Sequence, residues 1–167
     1  MQCQNFNEDW TFEKANQADR LKAFYGNSNA VAVTLPHDAM IREKRDKDCP
    51  SGAQSGFYPG GVYTYEKKFM AQNEWKTQDV FLEFEGIYGI ARVWINGALA
   101  AVNRNGYMGF SVDLKPWINY ENENIIRIDV DNSKQPNSRW YSGSGIYRDV
   151  NLWTGKDVYI SHDKLRI

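Results

Sequence analysis

Histidine and cysteine are scarce in this sequence, with two of each in 167 residues. Cys3 and Cys49 belong to no Cys-x-x-Cys pair and to no cluster with His37 or His162. A structural zinc site needs four such ligands at close spacing, so the sequence argues against a metal site, and no other cofactor is expected. The two cysteines can either form one disulfide bond or stay free.

The sequence also lacks long apolar runs and a strong net charge. No segment approaches the roughly 20 apolar residues of a membrane-spanning helix, so no membrane partner is expected. The formal net charge is −1, and lysine and arginine are spread along the chain, unlike the basic patch of a nucleic-acid-binding protein. No basic and then apolar leader opens the sequence, and this observation leaves the cellular compartment open.

Motifs of nucleophilic and phosphate chemistry are missing as well. Ser142 and Ser144 lie in a Ser-Gly-Ser-Gly stretch, but this order does not match the Gly-x-Ser-x-Gly nucleophile elbow. The sequence contains neither a phosphate-binding loop nor a dinucleotide fingerprint. From these absences we expect that the chain carries no complete catalytic apparatus of its own.

Two pairs of acidic residues share strand faces, Glu83 with Glu85 and Asp129 with Asp131. A glycosidase needs two carboxyl groups at a defined separation across the sugar, but same-face neighbours on a strand usually lie on a solvated sheet surface. The charges of residues 42–48 alternate in sign, which is typical of a solvated loop.

Aromatic residues are abundant, at 14% of the sequence with 6 Trp and 10 Tyr. They suit pleated, half-buried strands and also surfaces that bind the C–H faces of sugar rings. Period-2 alternation is clear in residues 80–86 and 91–97. Asn96-Gly97 then predicts a tight hairpin turn.

Further strands recur at intervals of roughly ten residues, separated by breaks rich in Gly, Pro and Asn. They are predicted at 31–35, 62–69, 125–130, 148–153 and 158–161. Residues 13–24 have helical composition, and residues 115–119 can form one helical turn. With no internal repeat and no long linker, residues 1–167 are expected to form one all-β domain, a sandwich or jelly roll.

Two segments are candidates for function. After the strand at 31–35, Pro36 sets an extended exit that places His37 and Asp38 at the end of the sandwich. Asp38 either contacts a ligand there or caps the following turn. In the segment 138–150, Arg139, Trp140 and Tyr141 precede two glycines, and this cluster fits a binding site or a packed corner in which Arg stacks on Trp.

Several motifs occur together and in order: FNEDWTF, LPHD, FYPGGVYTYEKKF, FLEFEGIYGIARVWINGALA, GYMGFSVDL, ENIIRIDVDNS and SRWYSGSGIYRDVNLW. In this combination the chain resembles the N-terminal domain of the family 2 glycoside hydrolases, nearest to their β-galactosidase branch. The resemblance implies a jelly-roll β-sandwich similar to galactose-binding domains. It also implies downstream immunoglobulin-like and TIM-barrel domains of the same polypeptide, with the catalytic glutamates on the barrel.

The resemblance further implies that this domain forms one wall of the pocket for a terminal β-D-galactosyl residue. Asp38 and Arg139 match positions that contact the sugar in relatives, and His37, Trp140 and Tyr141 flank them. The aspartate that helps to hold sodium in more distant β-galactosidases has no counterpart here, so no metal is carried over. A homo-oligomeric parent enzyme is expected, with a periplasmic or secreted location favoured over a cytoplasmic one.

Three other functions stay open at this point. The domain can belong to a β-glucuronidase or β-mannosidase, because Arg139 also suits a carboxylate ligand. It can act as a stand-alone carbohydrate-binding module. It can also serve as a scaffold that packs on other domains and contacts no sugar.

Overall fold

A computed structural model describes residues 1–14, 30–134 and 142–156. Within these residues the strands are β1 (Gln2–Asn5), β2 (Trp10–Lys14), β3 (Val31–Val33), β4 (Gly61–Met70), β5 (Asp79–Phe84), β6 (Ile87–Tyr88), β7 (Ile90–Ile95), β8 (Ala98–Asn103), β9 (Phe110–Asp113), β10 (Glu123–Asn132), β11 (Gly145–Ile146) and β12 (Val150–Gly155). Two short 3-10 helices, Gly52–Ser55 and Asn73–Thr77, lie in the connections. No helix in this part of the chain is long and apolar enough to cross a membrane.

The strands form two main antiparallel sheets. One has four strands in the order β1-β12-β5-β9, and the other has six in the order β3-β2-β4-β10-β7-β8. The short strands β11 and β6 pair separately. This all-β sandwich confirms the predicted fold class.

Alternating side chains build the core between the sheets. On β5, Val80, Leu82 and Phe84 are fully buried, while the residues between them are only half-buried. The same period-2 pattern runs along β7 and β10, because successive side chains of a strand point to opposite faces. The inner faces therefore supply the apolar surface whose burial stabilises the sandwich.

The predicted hairpin is confirmed. β7 and β8 pair across Asn96 and Gly97, whose φ angles of 50° and 83° both lie in the left-handed region that such a turn requires. Strands cover most of the predicted runs at 31–35, 62–69, 125–130 and 148–153. Five strands were not predicted from alternation alone: β1, β2, β6, β9 and β11.

The helix predicted at 13–24 is wrong at its start, because Glu13 and Lys14 belong to β2 and pair with β4. Residues 15–24 and the strand predicted at 158–161 lie outside the described residues. At 115–119 there is one hydrogen-bonded turn, in which the amides of Trp117 and Ile118 both donate to the Leu114 carbonyl.

Candidate functional site

The His37 loop and residues 142–146, which belong to the described part of the second candidate segment, lie side by side in the sandwich. The His37 amide donates to the Ile146 carbonyl over 2.8 Å, and the Ala39 amide donates to the Ser144 carbonyl over 2.7 Å. These bonds join the Leu-Pro-His-Asp loop to β11, although more than 100 residues separate them in sequence. We call residues 36–39 and 142–146 together the Asp38 edge.

The Asp38 carboxylate links the two halves of this edge. Its Oδ1 accepts hydrogen bonds from the Met40 amide at 2.9 Å and from the Ser144 amide at 3.0 Å. The first bond is the turn cap that the sequence offered as the alternative to ligand contact, and the second adds a long-range tie. Because charge-assisted bonds are stronger than neutral ones, Asp38 holds the backbone of the edge in place.

Glycine is required at two positions beside these groups. A Cβ atom on Gly143 would lie 2.9 Å from Asp38 Oδ2, and one on Gly145 would lie 2.1 Å from the Tyr65 hydroxyl oxygen. Both residues also have positive φ, of 70° and 98°. The predicted role of these glycines, a sharp turn with close approach to a neighbour, is therefore confirmed.

The buried Tyr65 side chain contacts the Asp38 edge through its hydroxyl group. Its hydroxyl lies 2.9 Å from His37 Nδ1 and donates a long bond of 3.5 Å to the His37 carbonyl. Burial raises the pKa of this phenol, against the effect of a hydrogen bond from the Ile146 backbone. The hydroxyl therefore stays protonated and connects both segments of the edge through one buried side chain.

The His37 ring is half-buried between aromatic groups. Its centroid lies 4.7 Å from that of Phe12 and 5.7 Å from that of Tyr65. Burial lowers the pKa of the imidazole from its ordinary value; the Arg42 charge acts in the same direction, and Asp38 opposes it. Neutral imidazole is therefore the favoured form at pH 7.

The serines of the edge have packing partners. Ser144 is fully buried and its hydroxyl donates to the Tyr88 carbonyl at 3.3 Å. The side-chain amide of the buried Asn132 donates to the Gly143 carbonyl at 3.3 Å. These contacts agree with a turn-forming role for Ser144, and they add Tyr65, Tyr88 and Asn132 to the residues that shape the edge.

Sequence reasoning missed these three supports, although Tyr65 gave a signal. It sits at an inward position of the alternating run at 62–69, where a polar hydroxyl needs a partner. Arg139, Trp140 and Tyr141 lie outside the described residues, so the structure brings together only His37 and Asp38 of the predicted site residues.

The acidic pairs have ordinary partners on the outer sheet faces. Glu83 accepts a bond from Trp153 Nε1 at 2.6 Å, and Glu85 accepts one from Asn151 at 3.3 Å. Asp129 accepts bonds from Thr64 and Arg127, each at 3.0 Å. Among the described residues, no group of three or more His, Cys, Asp and Glu side chains is arranged to hold a metal ion.

The cysteines are separate in the structure. Cys3 is exposed on β1 and Cys49 is buried, and both are free thiols. Burial raises the pKa of the Cys3 thiol, and the charges of Glu83 and Glu85 act in the same direction.

Most of the chain, with nearly all of the Asp38 edge, matches the model of one protein family. Residues 10–145 match the model described as the glycosyl hydrolase 2 galactose-binding domain-like domain. The chain belongs to this family. The match takes in β2 to the beginning of β11, and thus both segments that meet at Asp38.

The relatives of this chain include proteins named β-galactosidase and proteins named β-glucuronidase. The chain is 38% identical over 152 residues to the β-galactosidase BoGH2A of Bacteroides ovatus, covering 91% of this chain and 18% of that protein. It is 30% identical over 148 residues to a putative β-glucuronidase of Formosa agariphila, covering 89% of this chain and 14% of that protein.

Solved structures of glycosidases share the fold. A glycosyl hydrolase family 2 member from Bacteroides cellulosilyticus superposes with a TM-score of 0.84 at 30% identity, covering 93% of this chain and 21% of that chain. A β-glycosidase from Bacteroides vulgatus gives a TM-score of 0.79 at 34% identity, with 92% and 20% covered. This domain thus spans about a fifth of the length of these structures.

Proposed function

We propose that this chain is the N-terminal, substrate-contacting domain of a family 2 glycoside hydrolase that removes terminal β-D-galactosyl residues. The observation that carries the proposal is the hydrogen-bonded meeting of the Asp38 loop with residues 142–146. It places a fixed carboxylate at the edge that leads directly into the Arg139 segment. The similarity to a protein named β-galactosidase supports the choice of sugar.

In this proposal Asp38 and Arg139 orient the sugar. Galactose is neutral and has vicinal hydroxyl groups, so a carboxylate accepts hydrogen bonds from them and a guanidinium donates hydrogen bonds to them. His37, Trp140 and Tyr141 complete the wall around these two residues. Such remote contacts accelerate the reaction by aligning the anomeric carbon, although they touch no breaking bond.

The rest of the proposed enzyme lies outside this domain. Residues 1–167 form one sandwich, followed in the same polypeptide by an immunoglobulin-like domain and a TIM barrel that carries two catalytic glutamates. The partial coverage of the relatives by this chain is consistent with that organisation. The complete enzyme is proposed to act as a homo-oligomer.

A β-glucuronidase is the second candidate, because several relatives at about 30% identity carry that name. The substrates differ at C6, where a glucuronide carries a carboxylate and a galactoside carries a hydroxymethyl group. Arg139 would then pair with the carboxylate, as guanidinium groups commonly do.

The test is the substitution Asp38→Asn in the complete protein. Asparagine keeps an oxygen for the Met40 and Ser144 amides and removes the charge that receives the sugar hydroxyls. We expect kcat/KM for a nitrophenyl β-D-galactoside to fall about 30-fold, the loss of roughly 2 kcal/mol of binding in the transition state. Steady-state kinetics at pH 7 measure this ratio.

Asp46→Asn is the matched control. Asp46 also caps a turn, accepting a bond from the Asp48 amide at 2.9 Å, but it lies on the exposed loop. Its kcat/KM should not change. Equal values for wild type and Asp38→Asn would remove Asp38 from the sugar site, and faster hydrolysis of the matching glucuronide by the wild type would favour the β-glucuronidase.

A further inference from the structure

A groove on the outer face of the six-stranded sheet has the composition of a second ligand site. Its volume is about 430 Å3, and Glu66, Trp94, Ile125, Arg127 and Asp129 line it. These residues sit on β4, β7 and β10, with the hairpin turn at one end. We call it the Trp94 groove.

Strand register places its side chains in one row. Glu66 pairs with Arg127, Arg127 pairs with Trp94, and Trp94 pairs with Leu99 on β8. A register shift between Val93 and Trp94 interrupts the regular pairing at this point. Cross-strand neighbours lie within contact distance, so the row combines an acid, a base, an indole and an apolar side chain.

The indole nitrogen of Trp94 lacks a hydrogen-bond partner of the kind that Trp10 and Trp153 have. Its Nε1 is buried and has no hydrogen-bond acceptor among the described residues. By contrast, Nε1 of Trp10 donates to the Phe6 carbonyl at 2.8 Å, and Nε1 of Trp153 donates to Glu83 at 2.6 Å. Buried indole N–H groups usually have an acceptor, so Trp94 has a donor that a bound oxygen would satisfy.

Two side chains that pair with Trp94 across the sheet are partly exposed. Leu99 is 45% exposed, and the Arg127 side chain is 53% exposed. Because Nε1 itself is buried, a contact with a ligand oxygen requires neighbouring side chains to move.

The polar side chains of the groove both accept and donate hydrogen bonds, and their net charge disfavours an anionic ligand. Glu66 and Asp129 offer acceptors and Arg127 offers donors, with Arg127 Nε 3.0 Å from Asp129 Oδ1. With two carboxylates beside a single guanidinium, an anionic ligand would be repelled. Exposed Leu99 and Ile125 add apolar surface next to the indole.

We propose that the Trp94 groove binds a neutral saccharide. A pyranose ring presents a C–H face to the indole and hydroxyl groups to Glu66, Arg127 and Asp129. The volume falls within the range of roughly 300 to 1,000 Å3 that is usual for small-molecule sites. The site is on the opposite face of the sheet from Tyr65, and it does not depend on the function proposed for the Asp38 edge.

The experiment titrates this chain, labelled with nitrogen-15, with lactose and with a linear β-1,4-galactotetraose. The indole resonance of Trp94 should shift in a saturable manner. The variants Trp94→Ala and Arg127→Ala should each weaken binding about tenfold or more. Arg127 is exposed, so its variant is expected to fold even if the Trp94 variant does not.

Trp153→Ala is the matched control, because Trp153 lies on the outer face of the other sheet and should leave the affinity unchanged. Asp38→Asn separates the two sites. If it abolishes binding while Trp94→Ala does not, the sugar binds at the Asp38 edge and this proposal is wrong. The proposal is also wrong if the Trp94 indole resonance does not shift at high millimolar sugar. It is wrong as well if that resonance shifts without sugar and the shift follows dimer formation measured by sedimentation.

Discussion

Tyr63 and Tyr65 occupy inward positions two residues apart on β4, and both are fully buried. Their hydroxyl groups have different surroundings. The Tyr65 hydroxyl contacts His37, whereas the Tyr63 hydroxyl has no hydrogen-bond partner in the described part of the chain. Burial raises the pKa of both phenols, so both are neutral.

This difference predicts opposite effects of the same substitution. Tyr65→Phe should lower the free energy of unfolding by about 1 to 2 kcal/mol, because it removes a hydrogen-bond partner from the imidazole and the carbonyl of the half-buried His37. Tyr63→Phe should leave stability unchanged or raise it by up to about 1 kcal/mol, since it removes a buried hydroxyl group that has no hydrogen-bond partner among the described residues. Urea unfolding of both variants measures the difference, and equal losses would show that the Tyr65 hydroxyl is not a support.

His37 predicts a dependence of stability on pH. Its pKa in the folded state lies below the ordinary value of 6.5. Its contribution to stability is therefore complete above pH 6.5 and is lost as the pH falls through the folded pKa, because the unfolded chain then binds the proton more readily. Between pH 7.5 and 5.5 the free energy of unfolding should fall more in wild type than in His37→Asn. Parallel curves for the two proteins would contradict this assignment.

At the scale of residues, the local hydrogen bond of Asp38 could be predicted from the sequence, whereas its long-range hydrogen bond could not. Proline, histidine and aspartate after a strand indicated a turn at the end of the sandwich, and the cap to Met40 is local enough to be predicted. The bond to Ser144 spans more than 100 residues, and no local pattern encodes it. The same reason hid Tyr65, whose partners are the His37 loop and β11, both far from it in sequence.

At the scale of elements, the Asn-Gly hairpin is tied to its neighbours by side chains. Asn96 Nδ2 donates to the Trp117 carbonyl and to Asn124 Oδ1, each at 2.8 Å, and Asn96 Oδ1 accepts from the Ile125 amide at 2.9 Å. Asn124 is fully buried and also bonds to both backbone groups of Asn119. These side-chain amides connect β7, β10 and the turn that follows β9 at one end of the sandwich.

Asn124→Ala should therefore be costly. It removes the hydrogen-bond partner of both backbone groups of Asn119 and one of the two acceptors of the Asn96 side-chain amide, and we expect a loss of about 2 to 4 kcal/mol in the free energy of unfolding. Asn122→Ala, at an exposed position two residues away, should change stability by less than about 0.5 kcal/mol. Chemical denaturation compares the two, and similar values would show that the asparagine network adds no stability.

Strands with strict alternation and a marked turn were predictable, because β5, β7 and β10 each bury one face. β1 was not, since its four residues are all exposed and carry no apolar period. β6 and β11 have two residues each, too few to show a period. The helix predicted from 13 failed at Glu13 and Lys14 because pairing with β4 outweighs composition.

At the scale of the whole molecule, the earliest strand and the last described strand are neighbours. β1 pairs with β12 from Gln2↔Thr154 to Asn5↔Asn151, at the edge of the four-stranded sheet. β12 in turn pairs with β5 in the centre. β1 therefore covers the hydrogen-bonding edge of β12 while burying almost no side chain.

Removal of residues 1–4 should thus lower stability by less than about 2 kcal/mol but increase self-association, because it exposes β12 as an edge strand. Urea unfolding and sedimentation at several concentrations measure the two effects. Cys3→Ser in the intact chain controls for loss of the thiol. A monomer as soluble as wild type would show that β1 does not protect this edge.

The pairing of β12 with both β1 and β5 has a consequence for synthesis on the ribosome. Chains grow at about 5 to 20 residues per second, and β1 emerges long before its partner exists. Until residues 150–155 leave the exit tunnel, β5 has a bare edge and β1 has no neighbour. The segment that fixes Asp38, residues 142–146, emerges only just earlier. The nascent domain therefore closes late, and the Asp38 edge forms only after most of the domain has been synthesised.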